Sequence, residues 1–154
     1  MAVEDTVVTS LLNKQKYLES KDLSKIKIPL AAFQKMNDEE RMRFLVSELE
    51  KELQLSRQYG IDKFEGLLSC VDLSGPVDQE IKREIRECHN LRNIIVHRDS
   101  VADSRFAEAC PWLGCRAGER VRVTVKMLQK YEAAVVAYAT GLMQRIERRE
   151  KGGA

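Results

Sequence analysis

Apolar residues recur along most of this chain every three, four or seven positions, the period of an amphipathic helix. Val7, Leu11 and Leu18 predict a first helix ending near Ser20, and the stretch 20–36, interrupted by Pro29, predicts an irregular connection with one short turn. Asn37 followed by Glu40 has the form of a capping box, after which Met42, Leu45, Leu49 and Leu53 trace a stripe that Gly60 ends. Asp62 is a candidate cap for a short helix through Leu68. Ser74, Gly75 and Pro76 then break the pattern, and Val77, Ile81, Ile85, Cys88 and Ile95 predict a helix from about Val77 to His97. Arg92 falls on the same stripe, where a guanidinium is costly to bury without a carboxylate, a partner subunit or a ligand anion.

Between Arg98 and Arg120 the period disappears, and Pro111, Gly114 and Gly118 mark a structured excursion at one end of a bundle. Val121 and Val123 alternate with Arg120 and Arg122, which predicts one short strand. Thr124 is placed to cap a final helix whose stripe is Leu128, Tyr131, Val135, Tyr138, Leu142 and Ile146. The whole pattern predicts an all-α helical bundle with an irregular loop and a short β excursion before the last helix. It divides into an N-terminal helix and arm (1–36), a helical domain (37–150) and a frayed tail (151–154).

Composition narrows this picture without changing it. At 154 residues, 44% hydrophobic and 32% charged, the chain suits one globular core and argues against disorder. The net charge of +2 gives little general attraction to a polyanion, so any basic surface must come from clustering. Arg116, Arg120, Arg122, Lys126 and Lys130, against Glu119 alone, form one such cluster, and Lys14, Lys16, Lys21, Lys25 and Lys27 another. A solvated charged face is the bland alternative for each. No N-terminal apolar core resembles a signal peptide and no apolar run approaches the roughly 20 residues of a membrane span, so a cytoplasmic protein is expected. Cys70, Cys88, Cys110 and Cys115 are then expected as reduced thiols, with Cys88 and Cys70 filling core positions.

The candidate chemistry lies in Arg92-Asn93-Ile94-Ile95-Val96-His97, at the end of the helix predicted over 77–97. A permanently charged fork of donors and an imidazole, whose unperturbed pKa of about 6.5 lies near neutrality, suit attack on a phosphodiester without a metal. Asn93 and His97 lie one turn apart on a shared helix face, whereas Arg92 projects to the side. The arginine must therefore bend back or act with the histidine of another subunit. Its alternative role is a structural ion pair with Asp5, Glu48, Glu52 or another acid. For His97 the alternative is a favourable interaction with the helix C-terminus, and for Asn93 a place on the exposed face.

The string R-N-I-I-V-H, followed by R-D-S-V-A-D-S-R-F and A-C-P-W-L-G, resembles a bacterial branch of the HEPN superfamily, helical domains with an R-x4-6-H signature. The resemblance covers about Asn37 to Arg149. It implies a HEPN-like up-and-down bundle and a homodimer whose two motifs face each other across a cleft. It also implies a metal-independent endoribonuclease with Arg92, Asn93 and His97 as catalytic residues and no cofactor. His97 would exchange protons with the ribose 2′-hydroxyl or the leaving 5′-oxygen, Arg92 would stabilise phosphoryl charge, and Asn93 would position phosphate or imidazole. A 2′,3′-cyclic phosphate is the expected product. Arg98, Arg116, Arg120, Arg122, Lys126 and Lys130 would contact RNA. Toxin, antiviral-defence or stress roles, with an antitoxin or other regulatory partner, belong to the same expectation. In the toxin branch a tyrosine commonly follows the histidine by two positions; Asp99 stands there, which argues against regulation by nucleotidylation. The competing reading is a non-catalytic module that binds nucleotide or RNA or mainly dimerises.

Other motifs carry less. His97-Arg98-Asp99 spells a kinase triplet, but Ser104 stands where a kinase needs asparagine and there is no glycine-rich loop. Cys88, His89, His97, Cys110 and Cys115 have poor spacing for zinc. Trp112 can stack on a base, although covering the open end of the bundle with Pro111 and Leu113 is the simpler role.

Overall fold

The computed structural model of the chain describes residues 25–55, 58 and 60–152. The helix expected from Val7, Leu11 and Leu18 lies outside the described residues. Six α-helices are present among those described: α1 (Leu30–Phe33), α2 (Asp38–Glu52), α3 (Ile61–Ser69), α4 (Gln79–Arg98), α5 (Ser104–Ala109) and α6 (Val125–Gly152). The all-helical expectation holds among the described residues. The expected strand does not form: Arg120 makes an isolated antiparallel bridge with Val101. The partner segment is too short for a ladder, since Val101 and Ala102 are confined between the end of α4 and Asp103, which caps α5.

The chain divides into two compact units, Met1–Gly75 and Pro76–Ala154, at the Ser-Gly-Pro break. In the first, the capping box forms as its spacing dictates: Asn37 Oδ1 accepts from the Glu40 amide and Glu40 Oε2 from the Asn37 amide, both at 2.9 Å. Gly60, at φ 62°, occupies the N-cap position of α3 in a conformation open to glycine, leaving Asp62 inside the first turn rather than at the cap. Val46, Leu49, Leu55, Ile61, Leu67, Leu68 and Val71 are buried in this unit.

In the second unit Asp78 caps α4 by accepting from the Glu80 and Ile81 amides at 2.7 and 3.4 Å. Thr124 Oγ1 caps α6 by accepting from the Met127 amide at 3.2 Å. Helices α4 and α6 pack on each other, and Leu91, Ile94, Ala102, Phe106, Val121 and Tyr131 form a core cluster edged by Cys88, Leu113, Cys115 and Met127. The buried line on α4 is Glu87, Leu91 and Ile94, so Ile95 and Arg92 turn outward instead of sharing the inward stripe. On α6, Tyr131, Ala134 and Leu142 are buried, whereas Leu128 and Val135 are exposed. Both shifts arise because a period fixes a stripe's spacing, while the neighbouring helix decides which side of a broad apolar face is covered. No helix among the described residues is long and apolar enough to cross a membrane.

Candidate functional site

The last turn of α4 carries the Arg-Asn-His motif, and a solvent-open cavity of about 350 Å³ lies beside it. Asn90, Asn93 and His97 line one side at helical spacings of three and four residues. Asp103 and Arg105 line the other, and Ile94 and Phe106, both buried, close its floor. The far wall is fixed by local hydrogen bonding. Asp103 Oδ1 accepts from the Phe106 amide at 2.7 Å, which starts α5, while its Oδ2 holds Arg98 Nε at 2.9 Å.

Arg92 is exposed and does not line this cavity. It makes no ion pair among the described residues; Nη1 reaches Asn93 Oδ1 at 3.5 Å, the weak end of the hydrogen-bond range. Asn93 Nδ2 in turn lies 3.2 Å from His89 Nε2, and a donated amide hydrogen there requires the imidazole tautomer with that nitrogen unprotonated. His97 is exposed and forms no hydrogen bond with another described residue. Thus Asn93 and His97 share a cavity, and Arg92 touches only its Asn93 edge. His89, absent from the expected set, joins that edge one helical turn earlier.

Helix α4 ends with Asp99 and Ser100 both at positive φ, 49° and 64°. The amide of Ser100 bonds back to the Ile94 carbonyl at 3.0 Å, satisfying one of the helix's last acceptors. The chain reverses direction there, and Ser100 and Ala102 exchange backbone hydrogen bonds of 2.8 Å with Gly118, Glu119 and Val121. This seam brings Arg120 onto Asp99, two residues from His97. The basic cluster is thereby divided. Arg116, Arg122 and Lys126 are exposed, Arg120 is engaged by Asp99 and Arg98 by Asp103. Lys130 is drawn inward to Glu87 at 2.9 Å.

Glu87 is the polar centre that sequence reasoning missed. It is fully buried and accepts from Tyr131 Oη at 2.5 Å, Trp112 Nε1 at 2.6 Å and Lys130 Nζ at 2.9 Å. Burial by itself raises such a carboxyl, but hydrogen bonds from Tyr131, Lys130 and Trp112, with the charge of Lys130, outweigh it and hold Glu87 below its ordinary value. Burial and the bond to Glu87 push the Tyr131 phenol far upward. Burial likewise raises the Cys88 thiol, and lifts that of Cys110 to about 11. The signal in the sequence was a glutamate four and seven residues before Leu91 and Ile94, in phase with the buried side of α4.

All four cysteines are free thiols, and Cys110 is buried along with Cys70, while Cys88 and Cys115 are half-buried. No group of three or more His, Cys, Asp or Glu side chains among the described residues is placed to hold a metal ion. Trp112 lies in a 3-10 turn (Pro111–Leu113), with its indole bound to Glu87 and the Arg83 guanidinium 4.9 Å from its ring centre. No family model, characterised protein or solved structure matches this chain.

Proposed function

We propose that this chain is a HEPN-like, metal-independent endoribonuclease that cleaves single-stranded RNA as a homodimer. The observation that carries the reading is His97: an exposed imidazole without a hydrogen-bond partner among the described residues, at the mouth of an open cavity lined also by Asn93. Exposed Arg92, free of any ion pair among those residues, remains available to an anion. Neither side chain is tied to a carboxylate among the described residues.

In the proposed reaction an imidazole takes the proton of the ribose 2′-hydroxyl, whose oxygen attacks the adjacent phosphorus. The 5′-oxygen leaves with a proton, and a 2′,3′-cyclic phosphate results. A guanidinium stabilises the charge on the phosphoryl oxygens. Because Arg92 stands outside the His97 cavity within one chain, the proposed site combines Arg92 of one protomer with His97 of its partner. Support for pairing comes from the apolar residues left exposed: Ile95 and Val96 inside the motif, and Leu128, Val135, Val136 and Met143 along α6.

The test is cleavage of single-stranded RNA in EDTA by wild type, Arg92→Ala and His97→Ala. Loss of cutting in both variants, with unchanged thermal unfolding, is the expected result; undiminished cutting by both discards the assignment. The separation of Arg92 from the cavity also favours a second reading, a binding module that holds RNA or nucleotide without cleaving it. RNA binding by a wild type that never cuts selects that reading.

A further inference from the structure

Helix α6 carries a second apolar face. Tyr131, Ala134 and Leu142 are buried within the chain, whereas Val125, Leu128, Val135, Val136 and Met143 are left 49–71% exposed. With exposed Glu132 and Ala139 and half-buried Ile146, these five fall in one sector of the helix, about 100° wide at 3.6 residues per turn. We propose that this face is a two-fold seam, in which α6 packs antiparallel on α6 of a second copy of the chain, with the axis at the level between Val135 and Val136. The seam does not rest on the ribonuclease reading.

The order of the residues carries the inference. Outward from the midpoint of Val135 and Val136, the face repeats itself in both directions: Val136 answers Val135, Ala139 answers Glu132, Met143 answers Leu128 and Ile146 answers Val125. Two identical helices running in opposite directions about a two-fold axis set each residue at the level of its mirror position in the other copy. Every large apolar side chain on the face then meets another at its own level, along roughly 32 Å of helix. An unrelated partner imposes no such symmetry on the sequence.

Glu132, the one charge within the face, selects the direction of pairing. In a parallel pair the two carboxylates would stand at one level inside an apolar seam, a like-charge contact. In the antiparallel pair each stands at the level of Ala139 of the partner subunit, whose small side chain leaves the carboxylate room to reach water. The two carboxylates are then about 10 Å apart along the seam, one Debye length at roughly 0.1 M salt.

Packing within the chain separates this seam from the motif. Helix α4 runs antiparallel to α6: Arg145 donates to the Pro76 carbonyl at 3.3 Å, Glu87 meets Lys130 and Tyr131, and Leu91 and Ile94 pack with Val121 and Met127. His97 therefore lies toward the start of α6, and antiparallel pairing of α6 carries the two motifs to opposite ends of the seam. Sharing Arg92 and His97 between protomers needs a different contact, around exposed Ile95 and Val96, and a chain that makes both contacts assembles beyond a dimer.

The experiment follows association of the full chain by sedimentation velocity. One helix pair lies at the low end of specific interfaces, so self-association is expected in the micromolar range. Leu128→Glu and Met143→Lys, both at exposed positions, are each expected to weaken association about tenfold, because each sets an unpaired charge against an apolar surface. The double variant L128E/M143K should associate more tightly than either single one, since antiparallel pairing puts each new glutamate at the level of a new lysine, twice in the pair. Parallel pairing would oppose like charges and weaken it further. Thermal unfolding of each variant verifies the fold. A wild type that stays monomeric at about 100 μM overturns the seam, as does association indifferent to both single changes. A double variant no tighter than the single ones overturns the antiparallel register. Association that survives Leu128→Glu and Met143→Lys but is lost in Val96→Glu discards the seam and leaves the shared Arg92 and His97 site standing.

Discussion

Trp112 Nε1 donates to Glu87 Oε2 at 2.6 Å, so the only indole in the chain is tied to a carboxylate buried on α4, 25 residues earlier. The same carboxylate holds Tyr131 and Lys130 of α6. One glutamate therefore joins the irregular segment before α6 to both long helices of its unit. Such a group stabilises only while every donor around it is satisfied, because removing it strands a buried phenol, an indole N–H and an ammonium together.

Glu87→Ala is accordingly expected to lower stability by about 3–5 kcal/mol, seen as a fall in Tm on the order of 10 °C. Glu87→Gln keeps the shape and one acceptor and should cost less. A denaturation series for both variants checks the order; an alanine variant as stable as wild type contradicts it.

The depressed pKa of Glu87 sets the direction of a pH effect. The unfolded chain protonates this carboxyl near its ordinary value of about 4.5, above the folded value. The stability it contributes is present above that pH and is lost as pH falls through the folded value. The stability gap between wild type and Glu87→Gln should therefore be steady at neutral pH and close under acid. A gap that widens on acidification refutes the sign.

Burial raises Cys110 to about 11, which leaves almost no thiolate at neutral pH and no exposed sulfur to attack. Iodoacetamide at neutral pH is expected to leave Cys110 unmodified in the native protein and to label it once guanidinium unfolds the chain. Peptide mass spectrometry reads both states, and rapid native labelling of Cys110 shows the expectation to be mistaken.

Ser100 follows Asp99 in the left-handed region, where a side chain costs roughly 1 kcal/mol and glycine does not. Ser100→Gly should relieve this strain and raise Tm by about 2 °C, less whatever glycine adds to unfolded-state entropy. A Tm lowered by the full unfolded-state cost of glycine, about 0.4–1 kcal/mol, means that the turn holds serine without strain.

The proposed sharing of a site between protomers is testable by complementation. If Arg92 and His97 act across the two-fold axis, a heterodimer of Arg92→Ala and His97→Ala retains one intact site. Mixing the inactive variants in equal amounts should restore about a quarter of wild-type cutting after subunit exchange. No recovery in a verified heterodimer places the two residues in one chain's site.

Helical spacing, the capping box at Asn37, the cap at Thr124 and the Ser-Gly-Pro break depend on residues within a turn or two of each other. These features were legible in the chain because their physics is local. The nearness of Asn93 to His97 was legible for the same reason. The sequence did not determine which side of each stripe is covered. Ile95 and Arg92 face outward because α6 packs against Glu87, Leu91 and Ile94, and nothing in a 3.6-residue period selects between adjoining sectors of a wide apolar face. Only tertiary packing could bring Arg105 to the His97 cavity, set Arg120 on Asp99 and gather Trp112, Lys130 and Tyr131 around one carboxylate. Those contacts join residues from eight to 44 positions apart, and their partners are chosen by the direction in which the chain leaves Asp99 and Ser100, not by any repeat along it.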